Sequence, residues 1–133
     1  MKVFNLVLAA AMLFSHAAAF AHGEDKPGPH GGEIRMPGAF PTEIILVAQN
    51  KIRIYLLDMN WKNPTVKNSN MEVTFHGRHR SEADCRKEKE AFLCSFEEDV
   101  NLKHKGKLEV KAVRDNLKGN VAEYKTPLKF KGN

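Results

Sequence analysis

The stretch Glu43-Ile-Ile-Leu-Val-Ala-Gln-Asn-Lys-Ile-Arg-Ile-Tyr-Leu-Leu-Asp58 decides the fold. Glu43 to Ala48 is a β-rich run, and Gln49-Asn50 is a tight-turn pair. In the run that follows, Ile52, Ile54 and Leu56 alternate to one face. Two β-type runs joined by a two-residue turn read as an antiparallel hairpin. The same period continues downstream. Met71, Val73 and Phe75 alternate after a loop rich in Asn, Lys and Pro, and Phe92, Cys94 and Phe96 share a face in a third region. Residues 108–113 and 121–130 supply two more strands, the second broken by Pro127, which places it at an edge or a bend. The stretch 81–91 is the best helical candidate, yet it has almost no apolar face. Turn signals recur about every ten residues. The pattern is that of an all-β protein, a small antiparallel β-sandwich of the immunoglobulin-like kind with six to seven strands.

Upstream the composition changes. Lys2 is followed by an apolar run from Val3 to Phe14 and then by Ala17-Ala-Ala-Phe-Ala21. That is the layout of a secretory signal peptide, with an apolar core too short for a membrane span. The expected organisation is a signal peptide over residues 1–21, a flexible tail over 22–32 rich in Gly and Pro, and a single sandwich domain over 33–133. Small-x-small cleavage is satisfied after Ala19 and after Ala21. No later apolar run reaches 18 residues, so no membrane insertion is expected after cleavage. The expected location is periplasmic. The formal charge of +5 falls to +4 when Lys2 is removed, and the cations are scattered along the chain. This describes a solvated surface rather than a nucleic-acid footprint. The only Asn-x-Thr triplet, Asn63-Pro-Thr65, is blocked by its proline.

Cys85 and Cys94 are the two cysteines of the chain. In an oxidising compartment they read as a disulfide across a short hairpin. A thiolate metal pair or a redox pair is the competing reading, although the spacing is not Cys-x-x-Cys. No nucleophile elbow, phosphate loop or His-Glu-x-x-His helix is present, so the chain reads as a non-enzyme.

The histidines carry what chemistry remains. Cleavage after Ala21 makes His22 the new N-terminus, where α-amine and imidazole close a chelate ring. Cleavage after Ala19 places His22 third, with amine, two amides and imidazole as a square-planar donor set. Both suit Cu(II). His30, in Pro29-His-Gly-Gly32, has no adjacent cation and is the second candidate ligand, near Glu24, Asp25 and Glu33. His76 and His79 are flanked by Arg78 and Arg80, and His104 by two lysines. These three read as exposed polar residues. Met71 reads as core, while Met36 and Met59 are weaker soft-ligand candidates.

Three segments, His30-Gly-Gly-Glu-Ile-Arg35, Phe40-Pro-Thr-Glu-Ile-Ile-Leu-Val47 and Lys51-Ile-Arg-Ile-Tyr-Leu-Leu-Asp58, resemble a small periplasmic β-domain of bacterial heavy-metal, copper-type efflux systems. That domain is similar to the N-terminal segment of some efflux adaptor subunits. The shared positions are His30, Gly31, Gly32, Glu43, Tyr55 and Asp58, within residues 30 to 60. The basic segment 78–89 and the cysteine pair lie outside that pattern. The resemblance implies a role near metal efflux or resistance. The leading expectation is therefore a periplasmic protein that binds or hands over a metal ion, copper first, through His22 and His30, with a metal-efflux component as partner. The alternative is a non-catalytic interaction module without metal. A copper enzyme is disfavoured by the small surface and single tryptophan.

Overall fold

A computed structural model describes residues 26–132. The expected signal peptide, both of its cleavage points and His22 lie outside the described residues. Ten strands form two antiparallel sheets: β1 (Glu33–Arg35), β2 (Thr42–Ala48), β3 (Lys51–Leu56), β4 (Asn70–His76), β5 (Arg80–Glu82), β6 (Asp84–Glu88), β7 (Ala91–Ser95), β8 (Gly106–Arg114), β9 (Leu117–Lys118) and β10 (Ala122–Thr126). One sheet has the order β1-β2-β3-β7-β6, and the other β10-β8-β4-β5 with β9 against β8. Among the described residues the protein is an all-β sandwich with more strands than the six or seven expected, because the short β1, β5 and β9 carry no legible period and the charged β6 lies in the stretch read as helical.

The alternating residues meet between the sheets. Ile44, Ile52, Ile54, Leu56, Phe92 and Cys94 come from one sheet. Met71, Val73, Phe75, Leu108, Val110, Ala112 and Tyr124 come from the other. Period-2 patterning gives each strand one buried face, and burying that face is the main driving force. Tyr124 crosses the core: its hydroxyl donates to the Thr42 carbonyl at 2.7 Å and also bonds the Thr42 hydroxyl. Burial of its ring pushes the Tyr124 phenol far above its ordinary value, despite the hydrogen bond with Thr42.

The stretch 81–91, read as the best helical candidate, is instead the strand pair β5–β6 and the turn after it. Its chain switches sheets at Ala83, whose N–H donates to the Val73 carbonyl. An edge strand has solvent on several sides, so charged residues replace the usual alternation and the period disappears. Cys85 and Cys94 lie directly opposite each other on β6 and β7, Cα atoms 4.0 Å apart, and are joined as a disulfide. In this oxidised form the two sulfurs are not thiolates and do not make the metal pair that was the competing reading. β10 is an edge strand and ends at Thr126, immediately before Pro127. No helix among the described residues is long and apolar enough to cross a membrane.

The segment 28–32, within the stretch read as a flexible tail, folds back onto the outer face of β2 and β3. Gly28 N–H donates to the Gly32 carbonyl at 2.8 Å, and Gly31 N–H to the Gly28 carbonyl at 2.9 Å. Gly31 has φ 78°, a conformation that glycine adopts without steric cost. The turn is ordered because a buried carboxylate organises it.

Candidate functional site

That carboxylate is Glu43, on the outer face of β2 yet fully buried. Register explains its neighbours: Glu43 lies opposite Ile34 on β1 and Tyr55 on β3. A bulge between Leu46 and Ala48 sets that register, which also aligns Ile44 with Ile54 in the core. The 28–32 turn then closes over the carboxylate. Glu43 Oε1 accepts the backbone N–H of His30 at 2.7 Å and that of Gly32 at 3.2 Å. Glu43 Oε2 lies 2.9 Å from His30 Nδ1. Converging backbone N–H groups of this kind form a concave anion cradle, here filled by a side chain of the same protein.

The glycines are required by the closeness of this approach. A Cβ at Gly28 would stand 2.6 Å from Glu43 Cδ, and one at Gly32 would stand 2.4 Å from the Ile44 carbonyl oxygen. The His30 ring lies flat on Tyr55, centroids 3.6 Å apart and planes 3° from parallel. Burial raises the Tyr55 phenol above its ordinary value; nearby Arg53 opposes this and Glu43, Glu90 and Glu88 reinforce it.

The chemical consequence is a histidine with fixed position and tautomer. Glu43 receives two backbone N–H groups and acts as an acceptor, so Nδ1 is the donor of the third bond. The neutral ring then carries its lone pair on Nε2. A carboxylate bonded to one imidazole nitrogen is the usual support for a histidine that ligates metal through the other. Nε2 forms no hydrogen bond among the described residues. An open groove of about 360 Å³ beside the ring is lined by Arg53, Tyr55, Glu88, Lys89 and Glu90. Arg53 is paired with Glu88 at 2.9 Å.

Of the candidate ligands, His30 is thus placed, and His22 lies outside the described residues. No cluster of three or more His, Cys, Asp or Glu side chains suited to a metal occurs among the described residues. His76 Nε2 is 3.2 Å from Glu109 Oε1. Burial acts to raise the Glu109 carboxyl, but His76 and Lys107 outweigh it and hold it below its usual range. His79 and His104 line a different cleft. Met71 is core, and Met36 and Met59 are exposed.

His30, Gly31, Gly32, Glu43 and Tyr55 converge in this one unit. Asp58 does other work. Its Oδ1 accepts the N–H of Asn60 and of Lys62, both at 2.9 Å, and Oδ2 accepts from Asn63 Nδ2 at 2.7 Å. The Lys62 N–H and Asn63 bonds hold the Asp58 carboxyl below its ordinary value. This closes the turn that presents Trp61, over whose ring Lys26 Nζ sits at 5.2 Å. Reasoning from sequence alone missed Glu43 as the partner of His30. The one available signal was an acidic residue inside an otherwise apolar strand. Compared with known protein families, with curated proteins and with solved structures, the chain matches none.

Proposed function

We infer that this is a periplasmic protein that captures a metal ion, copper first, and passes it on within a metal-efflux or resistance system. The observation that carries the reading is the His30–Glu43 pair. A buried carboxylate fixes Nδ1, and Nε2 is left as a lone-pair donor at the mouth of a groove. His22, with its terminal amine after signal cleavage, is the second ligand. His30 lies eight positions further on, a contour of up to about 28 Å that allows both to reach one ion. A site of two histidines and an amine matches the tetragonal nitrogen preference of Cu(II) and leaves room for exchange to a partner. The Cys85–Cys94 disulfide and the lack of a membrane-spanning helix among the described residues are compatible with a secreted or periplasmic protein.

A second reading, an interaction module without metal, is favoured by the backbone bonds of the same unit. The backbone N–H groups of His30 and Gly32 both donate to Glu43 and simply clasp the chain. Copper titration of the exported protein and of its His30→Ala variant separates the two. Metal handling predicts one tightly held equivalent that His30→Ala weakens by at least tenfold. The clasp alone predicts identical, weak binding by both.

A further inference from the structure

A second site lies at the far end of the sandwich, away from His30. The β4–β5 turn carries Gly77, Arg78 and His79, and the β7–β8 connection carries Asp99, Val100, Asn101, His104 and Lys105. Together they line a cleft of about 340 Å³ floored by Phe75. We propose that this cleft binds a small oxyanion, phosphate or carboxylate in chemistry, through Arg78, Lys105 and the imidazole N–H groups of His79 and His104.

Charge balance is the first argument. Arg35, Arg53 and Arg80 are each paired with a carboxylate. Arg78, His79 and Lys105 form no ion pair and no side-chain hydrogen bond among the described residues. Asp99 is the one carboxylate in the lining, set against two permanent cations and two imidazoles. A cation would be repelled by Arg78 and Lys105, so the imidazoles serve as N–H donors here and not as metal ligands. A guanidinium fork with adjacent N–H donors suits a planar or tetrahedral oxyanion.

Preorganisation is the second. Phe75 is wedged between two glycines: a Cβ at Gly77 would stand 2.6 Å from one ring edge, and one at Gly106 would stand 2.6 Å from the other. The same ring meets Phe96 edge-on at 6.2 Å. The long connection is pinned as well. Leu102 N–H donates to the Gln49 carbonyl at 2.7 Å, Lys103 N–H to Asn101 Oδ1 at 3.0 Å, and Thr126 Oγ1 to the His104 carbonyl at 2.6 Å. The backbone of both connections is thus fixed before binding, and the ordering left to do is that of the exposed Arg78 and Lys105 side chains. The volume holds on the order of ten waters at about 30 Å³ each, enough for an oxyanion with a small organic body resting on Phe75.

The test is titration of the isotope-labelled protein with sodium phosphate, and in a parallel arm sodium acetate, at low ionic strength, followed by amide chemical shifts. Saturable shifts confined to residues 77–79 and 99–105, weakening with added chloride, are expected. The stronger arm identifies the anion class. Arg78→Ala/Lys105→Ala, both exposed positions, should weaken binding at least tenfold with the melting temperature unchanged. Asp99→Asn should tighten it several-fold. Non-saturating shifts scattered over the surface lysines, or equal binding by the double variant, would overturn the proposal.

Discussion

Replacing Glu43 by Gln isolates what the buried carboxylate does. The side chain keeps its shape and one oxygen, so the β2 register and the core beneath are undisturbed. The amide brings two N–H groups into a cradle built for an acceptor. The His30 N–H at 2.7 Å and the Gly32 N–H at 3.2 Å share Oε1 and can keep the amide oxygen. The amide nitrogen then faces His30 Nδ1, where carboxylate and ring are 2.9 Å apart. Two donors cannot bond, so the ring must change tautomer and accept through Nδ1, moving its proton to Nε2. Hydrogen bonds to a charged group contribute about 1.5–3 kcal/mol each and neutral ones about 1. Three bonds weakened but not lost amount to about 2–3 kcal/mol. For a domain of this size that is a fall in Tm of about 8–15 °C. Thermal unfolding followed by circular dichroism reads the stability, and long-range ¹H–¹⁵N spectra of the imidazole read the tautomer. The expected result is a lower Tm together with an Nδ1–H to Nε2–H switch at His30 and, on the proposed metal-handling function, weaker copper binding. A variant within about 0.5 kcal/mol of the parent, with Nδ1–H retained, would refute the reasoning.

Gly32→Ala should destabilise by about 2 kcal/mol or more, because its Cβ would stand 2.4 Å from the Ile44 carbonyl oxygen and backbone must move; urea unfolding reads it. Reducing the Cys85–Cys94 bond, or replacing both cysteines by alanine, should lower stability by about 2–3 kcal/mol on the chain-entropy model, seen as a lower urea midpoint. Both tyrosines have raised phenol pKa values, so their neutral form is favoured by folding. The stability this contributes is complete below the unfolded value near pH 10 and is lost as pH rises beyond it. Alkaline titration at 295 nm should therefore show Tyr55 ionising first and Tyr124 only with unfolding. Tyr124→Phe loses the bond to Thr42 at every pH but should flatten the fall of stability with pH above about 10, read by urea unfolding at several pH values, and an unchanged slope would count against this assignment.

The hairpin over residues 42–56 was legible because Ile52, Ile54 and Leu56 alternate to one buried face beside a β-rich run and a two-residue turn, which needs no tertiary knowledge. The meeting of Glu43 and Tyr55 was not. A two-residue turn at Gln49-Asn50 with regular pairing would set Tyr55 opposite Ile44. The bulge between Leu46 and Ala48 shifts the register by one, and nothing in Leu-Val-Ala announces it. His30 was legible as a residue without neighbouring cations, but its partner lies 13 positions away across a turn that exists only because that partner is there. The segment 80–88 failed for a different reason: an edge strand that switches sheets has no single buried face, so charge replaces period. The bond between Cys85, inside it, and Cys94 was legible because an even cysteine count in a chain expected to be exported carries its own constraint.

Native mass spectrometry of the protein exported from its host, with one equivalent of Cu(II), tests the metal-handling claim most directly. The account predicts a chain beginning at His22 or Phe20, two protons light for the disulfide, that retains one copper, while His30→Ala and an N-terminally blocked form do not. Equal copper retention by all three, or none above background in the parent protein, would contradict it and leave the His30–Glu43 pair as a clasp of the fold.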